Sequence, residues 1–130
     1  MNLFAASVQF WAKPEIIGYI SKKDFSPTPK VDSAIIKLTP PNILTSDINI
    51  LKSTLNVERY YHLIHILFKQ PRKTILNNLI NADKRGWERG LTRINKEEII
   101  KKLNQLGINP QDRPQNLSLV DLMRLVDKLF

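Results

Sequence analysis

The first 40 residues contain a helix and two strands that cannot bury their own apolar side chains. Residues 2–12 are typical of a helix with apolar side chains on nearly every side and no breaker before Pro14. Two β-branched segments follow, EIIGYIS at 15–21 and VDSAIIKL at 31–38, joined by KKDFSPTPK. Because an isolated hairpin is marginal in water and an all-apolar helix is normally buried, we expect these elements to be the last pieces of a larger sheet.

The rest of the chain predicts a linker followed by short helices. Residues 41–55 form a polar connection containing Pro and Asn. Residues 56–70 place apolar side chains at three- and four-residue spacing, and Pro71 interrupts this pattern, so a second helix is expected to begin near Pro71. The stretch NADKRGWERG at 81–90 is typical of a loop because of its glycines.

Two further helices carry clear start signals. Asn95 and Glu98 form a capping-box pattern ahead of one apolar stripe, which Gly107 closes. Ser118 begins the last helix, with an acidic residue three positions later. The sequence therefore predicts an α+β chain, mainly α, in which a four-helix unit over 56–130 follows the helix and hairpin of 1–40.

The charge of the chain indicates a polyanionic partner. The 130 residues include 20 Lys plus Arg against 12 Asp plus Glu, a net charge of +8. Residues 69–102 alone hold ten basic and four acidic residues, an excess of six, so the positive charge is local. No apolar run approaches the roughly 18 residues that a membrane span needs. These features favour nucleic acid over a membrane as the partner.

Several kinds of site are not expected. With no Cys the chain can form neither a disulfide nor a thiolate metal site, which fits a reducing cytoplasm. The four glycines are too scattered for a nucleotide-binding loop. His62 and His65 lie three apart on one predicted helix but have no suitably spaced third ligand, so we expect no metal site. Ser33 lacks the surrounding glycines of a nucleophilic serine, and residues 1–14 do not have the pattern of a signal peptide.

The best candidate for an RNA-binding segment is LFKQPRKTILNNLI at 67–80. Cations that can neutralise phosphates are followed there by amides that can donate to phosphate, sugar or base edges, at Lys69, Arg72, Lys73, Asn77 and Asn78. The alternative is that the charges form a solvated helical face without a ligand.

The loop between the two predicted strands is a second candidate. Phe25 is an aromatic residue close to a strand end, and Lys30 adds a cation in a loop stiffened by two prolines. The alternative is that Phe25 anchors a core and the prolines only shape a hairpin.

Three motifs in order resemble one protein family. FSPTPKVDSAIIKL, FKQPRKTILNNL and LGINPQDRPQNLSLVDLMRLV closely resemble the C-terminal half of the ribosomal RNA adenine dimethyltransferases, which modify two adjacent adenines in small-subunit rRNA. The resemblance covers nearly the whole chain. It implies that 1–40 is the end of a Rossmann-type methyltransferase domain binding S-adenosylmethionine and that 56–130 is a helical rRNA-binding domain.

The resemblance also implies roles for individual residues. Phe25 matches the aromatic residue that stacks on the flipped target adenine, and the cations and amides of 67–80 match the rRNA contacts. The glycine-rich cofactor loop, the acidic ribose ligand and the motif holding the target amine are expected to precede residue 1. We therefore expect the intact protein to use S-adenosylmethionine and this part alone to bind no cofactor and to be inactive.

Two positions depart from the family pattern. Pro71 stands where an arginine is usual, which puts one phosphate contact in doubt, and Leu76 stands where a basic residue is common. The expected partner is small-subunit rRNA or the pre-30S subunit. The alternatives are a large-subunit rRNA adenine methyltransferase of the macrolide-resistance type, a non-catalytic RNA-binding or ribosome-assembly module, and a helical protein-interaction module.

Overall fold

A computed structural model describes residues 1–40, 56–82 and 95–130. The predicted linker 41–55 and most of the predicted loop 81–90 lie outside the described residues. Within them the elements run in the order α1 Leu3–Trp11, β1 Lys13–Ile20, β2 Ser33–Thr39, α2 Val57–Phe68, α3 Ile75–Ile80, α4 Lys96–Gln105 and α5 Leu119–Leu129. Short 3-10 turns occupy Lys22–Asp24 and Pro114–Asn116. None of the helices in these three described stretches has the length and apolar character that crossing a bilayer requires.

The first helix forms where its composition predicts, but only one side of it is buried. The Asn2 side chain accepts a hydrogen bond from the Ala5 amide at 2.8 Å and so caps the start of α1. Phe10 is 2% exposed, whereas Phe4 is 78% exposed. One stripe of α1 therefore faces the packed helices, and the expectation that this apolar helix is buried within something larger stays a prediction.

The two strands form an antiparallel hairpin whose faces are both open. β1 and β2 pair from Lys13 opposite Thr39 to Ile20 opposite Ser33, with a bulge between Ile16 and Gly18. Large apolar side chains on both strands are exposed: Ile16, Ile17, Tyr19, Ile35, Ile36 and Leu38. A two-stranded ribbon with this much exposed apolar surface has the character of part of a larger sheet.

Helices α4 and α5 begin at the residues that their capping signals predict. Asn95 and Glu98 form a reciprocal capping box at α4, and Gly107 follows its end with a φ of 71° that suits glycine. Ser118 and Asp121 form the same arrangement at α5. The predictions for these two helices are confirmed.

The helix expected to begin near Pro71 begins at Ile75 instead. The Thr74 hydroxyl accepts the Asn77 amide at 3.2 Å and supplies the N-cap, whereas residues 69–73 form a turn in which the Lys73 amide donates to the Gln70 carbonyl at 2.9 Å. A threonine cap thus determines the start, and the proline lies in the turn. The basic residues of 69–73 consequently lie between two helices and not along a helical face.

The described helices share one apolar core. Buried side chains of α2 to α5 pack together, and Ala6 and Phe10 of α1 join the same cluster. The Phe10 ring stacks on the Tyr60 ring at 4.3 Å between centroids, and the Tyr60 hydroxyl donates to the Ala6 carbonyl at 2.9 Å. Because α1 contributes to the core of the helices, the division into 1–40, 41–55 and 56–130 stays a prediction.

Candidate nucleic-acid interface

The cations predicted to bind RNA lie together on the turn between α2 and α3. Lys69, Arg72 and Lys73 are all exposed, and together they place three positive charges within five residues. Among the described residues none of the three has an ion-pair partner. We name residues 69–73 the basic turn. It presents to solvent three positive charges that no described carboxylate pairs with, and such charges can contact phosphates.

Asn78 holds the basic turn in shape from the inside. Its side chain is 6% exposed, and Nδ2 donates to the carbonyls of Gln70, Lys73 and Thr74 at 3.1, 3.3 and 3.1 Å. A buried amide that bonds three carbonyls has a structural role in the turn. The side chain points into the turn that carries the cations, and the predicted RNA contact of Asn78 stays a prediction.

Asn77 has the opposite placement. It is exposed in the first turn of α3, directly after the residues of the basic turn. The Thr74 hydroxyl accepts its backbone N–H, so the exposed side-chain amide is the group of Asn77 that could donate to a ligand. The predicted RNA contact of Asn77 stays a prediction with a compatible geometry.

The start of α3 is closed by a distant segment of the chain. The Ile75 amide donates to the Asp112 carbonyl at 2.8 Å, and the Leu76 amide donates to the Pro110 carbonyl at 3.2 Å. These bonds satisfy helix-start amides that could otherwise bind an anion, so these two amides are not available to one. The same bonds bring the exposed Arg113 to this end of the molecule, which no local sequence signal indicates.

The two positions that depart from the family pattern, 71 and 76, differ in exposure to solvent. Pro71 is exposed within the basic turn, so an arginine there would add to its charge. Leu76 is buried in the core cluster on the opposite side of α3 from the solvent. An apolar residue at position 76 therefore removes nothing from the exposed surface.

Phe25 and Lys30 form a second group on the hairpin loop. Phe25 follows the 3-10 turn Lys22–Asp24 and is 39% exposed, and the Lys30 side chain is exposed. The loop is closed at its base by the Lys22 amide, which donates to the Asp32 carboxylate at 2.8 Å. Phe25 thus presents part of its ring to solvent on a braced loop, while the role predicted for it stays a prediction.

The histidines belong to neither group. His62 and His65 lie on α2, and no cluster of three or more His, Cys, Asp or Glu suited to a metal ion occurs within 1–40, 56–82 and 95–130. Both histidines line a cavity beside α2.

Comparison with protein families gives one match that covers most of the chain. Residues 4–110 match the family described as ribosomal RNA adenine dimethylase. The chain is 33% identical over 129 residues to the ribosomal RNA small subunit methyltransferase A of Mycoplasma mycoides, covering 99% of this chain and 42% of that protein. It is 35% identical over 124 residues to the protein of the same name in Staphylococcus aureus, covering 93% of this chain and 37% of that protein.

Two solved structures share the fold. The 23S rRNA methyltransferase ErmE has a TM-score of 0.59 at 18% identity, with 98% of this chain and 46% of that chain covered. A dimethyladenosine transferase from Plasmodium falciparum has a TM-score of 0.57 at 23% identity, with 95% and 47% covered. The helix, hairpin and helical core therefore correspond to part of a methyltransferase fold, and the chain spans about 40% of the length of the curated relatives.

Proposed function

Because the chain belongs to the ribosomal RNA adenine dimethylase family, we propose that it is part of an S-adenosylmethionine-dependent enzyme that methylates the exocyclic amines of adjacent adenines in small-subunit rRNA. In this proposal residues 56–130 form the rRNA-binding domain. Its partner is small-subunit rRNA, free or in the pre-30S subunit, in the cytoplasm. The curated relatives named for the small subunit support this choice of rRNA.

The observation that carries the rRNA-binding role is the exposed charge of the basic turn. Lys69, Arg72 and Lys73 extend from a backbone that Asn78 ties together at three carbonyls. Because these hydrogen bonds already fix the backbone of the turn, little backbone entropy is lost when the cations contact phosphates, and this favours binding. Asn77 adds an amide beside them that can donate to phosphate, sugar or a base edge.

The described residues do not fit a site for S-adenosylmethionine. Gly18 lies in β1 with the Ile35 side chain 3.7 Å from where its Cβ would be, and Gly107 follows the end of α4. Neither described glycine belongs to a glycine-rich loop that could cradle the cofactor. The proposed role of the described residues is therefore to bind RNA.

Phe25 is proposed to stack on the target adenine in the intact enzyme. Its partly exposed ring and its position on a braced loop beside the strand ends support this role. An aromatic face of this kind holds a base extruded from its stack. Lys30, exposed on the same loop, is proposed to contact the RNA backbone near that base.

The test of the rRNA-binding role is the salt dependence of affinity for a small-subunit rRNA fragment containing the adjacent adenines. In the double variant Arg72→Gln, Lys73→Gln, the slope of log K against log salt should fall by about 1.4, since each lost phosphate contact changes it by about 0.7. The matched control is Arg124→Gln, Lys128→Gln, which removes the same charge from exposed positions on α5.

Equal slopes in the wild-type protein and the basic-turn variant would count against the assigned surface. Equal losses in both double variants would show attraction by net charge alone. Methylation mapping of both ribosomal subunits with the intact protein separates the small-subunit enzyme from a large-subunit enzyme and from a non-catalytic module.

A further inference from the structure

A polar cavity lies at the beginning of α2, away from the residues assigned so far. Its volume is about 500 Å³, and its lining is Asn56, Glu58, Arg59, Tyr61, His62 and His65. This volume falls within the roughly 300–1,000 Å³ that small-ligand sites occupy. The described residues of the lining are all polar or aromatic, so the chemistry that they offer is that of hydrogen bonds and aromatic faces.

The lining can both donate and accept hydrogen bonds. Arg59 donates from its guanidinium, which is held over the Phe130 ring at 5.8 Å. Tyr61 accepts from Trp11 Nε1 at 2.8 Å, and a phenol that accepts one bond can still donate another. Glu58 contributes a carboxylate, which only accepts while it is ionised. A nucleobase edge presents this combination of donors and acceptors.

The charge of the cavity distinguishes it from the basic turn. Among the described residues of the lining, Arg59 and Glu58 sum to no formal net charge with neutral histidines, whereas the basic turn carries three positive charges. A carboxylate in the same lining as the Arg59 guanidinium disfavours a phosphate there. The basic turn therefore suits the RNA backbone, and the cavity suits an uncharged base that can stack on the Tyr61 or histidine rings.

Lys69, the first residue of the basic turn, continues the side of α2 that carries the cavity residues. Glu58, His62, His65 and Lys69 follow each other at spacings of four, three and four residues, which places them within about 60° of one another around an α-helix axis. Lys69 retains helical backbone angles, with φ of −59° and ψ of −41°. The rise from His62 to Lys69 is roughly 10 Å, a distance that a short single-stranded segment can bridge.

We infer that the cavity on α2 binds one unstacked base of a single-stranded RNA segment whose phosphates contact the basic turn. This inference rests on the proposed rRNA-binding function and adds to it a site that reads a base. The sequence did not suggest it, because His62 and His65 considered alone indicate only an incomplete metal site.

The test compares two RNA probes with the full chain. One is a fluorescein-labelled 12-nucleotide single-stranded RNA of mixed sequence, and the other is an abasic strand with the same number of phosphates. The wild-type protein should prefer the base-containing strand. His65→Ala should reduce affinity for that strand about fivefold or more, the effect of losing one stacked base, without weakening abasic binding. Gln105→Ala, at an exposed position on α4, is the control and should change neither affinity.

A second readout does not depend on the variants. The chain has two histidines, both in the cavity lining, so their imidazole C–H resonances report on this site alone. Both should shift on titration with the base-containing strand and stay in place with the abasic strand.

The outcomes separate this inference from the proposed function. If the two strands bind equally, or His65→Ala weakens both strands alike, the cavity does not bind a base, and the basic turn is unaffected by that result. If Arg72→Gln, Lys73→Gln leaves the affinity for both strands unchanged, the proposed function fails and the inference fails with it. Unmoved imidazole resonances at saturating base-containing RNA would also overturn the base site.

Discussion

At the scale of the residue, Tyr60 shows how one hydroxyl joins two parts of the chain. Its ring is completely buried, and its hydroxyl donates to the Ala6 carbonyl 54 positions earlier. Burial, with a smaller contribution from Tyr61, raises the pKa of the Tyr60 hydroxyl above the ordinary value of 10.0. The folded state therefore binds this proton more tightly than the unfolded state does, so the contribution to stability is complete below about pH 10 and is lost as the pH rises further.

Tyr60→Phe tests this account. The substitution should lower the free energy of unfolding by about 0.5–1.5 kcal/mol at pH 8, because it removes one hydrogen bond and keeps the ring. Between pH 8 and pH 11 the variant should lose less stability than the wild-type protein, since it has no buried phenol to ionise. Urea denaturation at the two pH values measures both effects. Tyr19→Phe, at an exposed position on β1, should match the wild-type protein at pH 8.

At the level of single elements, two adjacent asparagines next to the basic turn have different environments. Asn78 faces inward and bonds three carbonyls of the turn, whereas Asn77 faces solvent. The sequence shows two amides after a basic run and does not distinguish them. The distinction follows from the start of α3 at Ile75, because that start rotates position 78 toward the core and position 77 away from it.

Asn78→Ala should therefore affect mainly stability, whereas Asn77→Ala should affect mainly rRNA binding. Asn78→Ala should lower the free energy of unfolding by about 1–3 kcal/mol, because it deletes a buried donor and leaves carbonyls without it. Asn77→Ala should change stability by less than about 0.5 kcal/mol and should weaken rRNA binding. Chemical denaturation and the RNA titration measure the two properties. A larger loss of stability in Asn77→Ala than in Asn78→Ala would contradict the assignment of the two side chains.

At the scale of the whole molecule, α1 links the hairpin to the helical core. Phe10 stacks on Tyr60, and Trp11 Nε1 donates to the Tyr61 hydroxyl at 2.8 Å. The hairpin that follows α1 keeps apolar side chains exposed on both strands. The described part of the chain thus consists of a helical core, to which α1 belongs, and a β-hairpin whose apolar side chains are exposed to solvent.

The contribution of α1 to the core can be measured with two phenylalanines of the same helix. Phe10→Ala should lower the free energy of unfolding by about 3–5 kcal/mol, because it leaves a cavity against Tyr60. Phe4→Ala should have an effect within about 0.5 kcal/mol, since Phe4 is on the open side of α1. Thermal unfolding followed by circular dichroism compares the two. Similar small losses in both variants would show that the helical core does not need α1.

Short-range signals in the sequence predict the identity of the elements and the ends of several helices. Asn95, Glu98, Ser118 and Asp121 satisfy helix-start groups within a few residues of themselves, so their effect is visible in a short window of sequence. The basic and amide residues of 67–80 also lie together in the chain, and the structure keeps the cations exposed on one turn.

Contacts between distant parts of the chain set which side chains remain available for a partner. The burial of Asn78, the Asp112 carbonyl on the Ile75 amide and the packing of Phe10 against Tyr60 each depend on contacts between elements. The cavity beside His62 and His65 likewise includes the Tyr61 side chain, which bonds to Trp11 of α1. Periodicity and capping report on the hydrogen bonds of one element, whereas exposure is set by whichever neighbour packs against it.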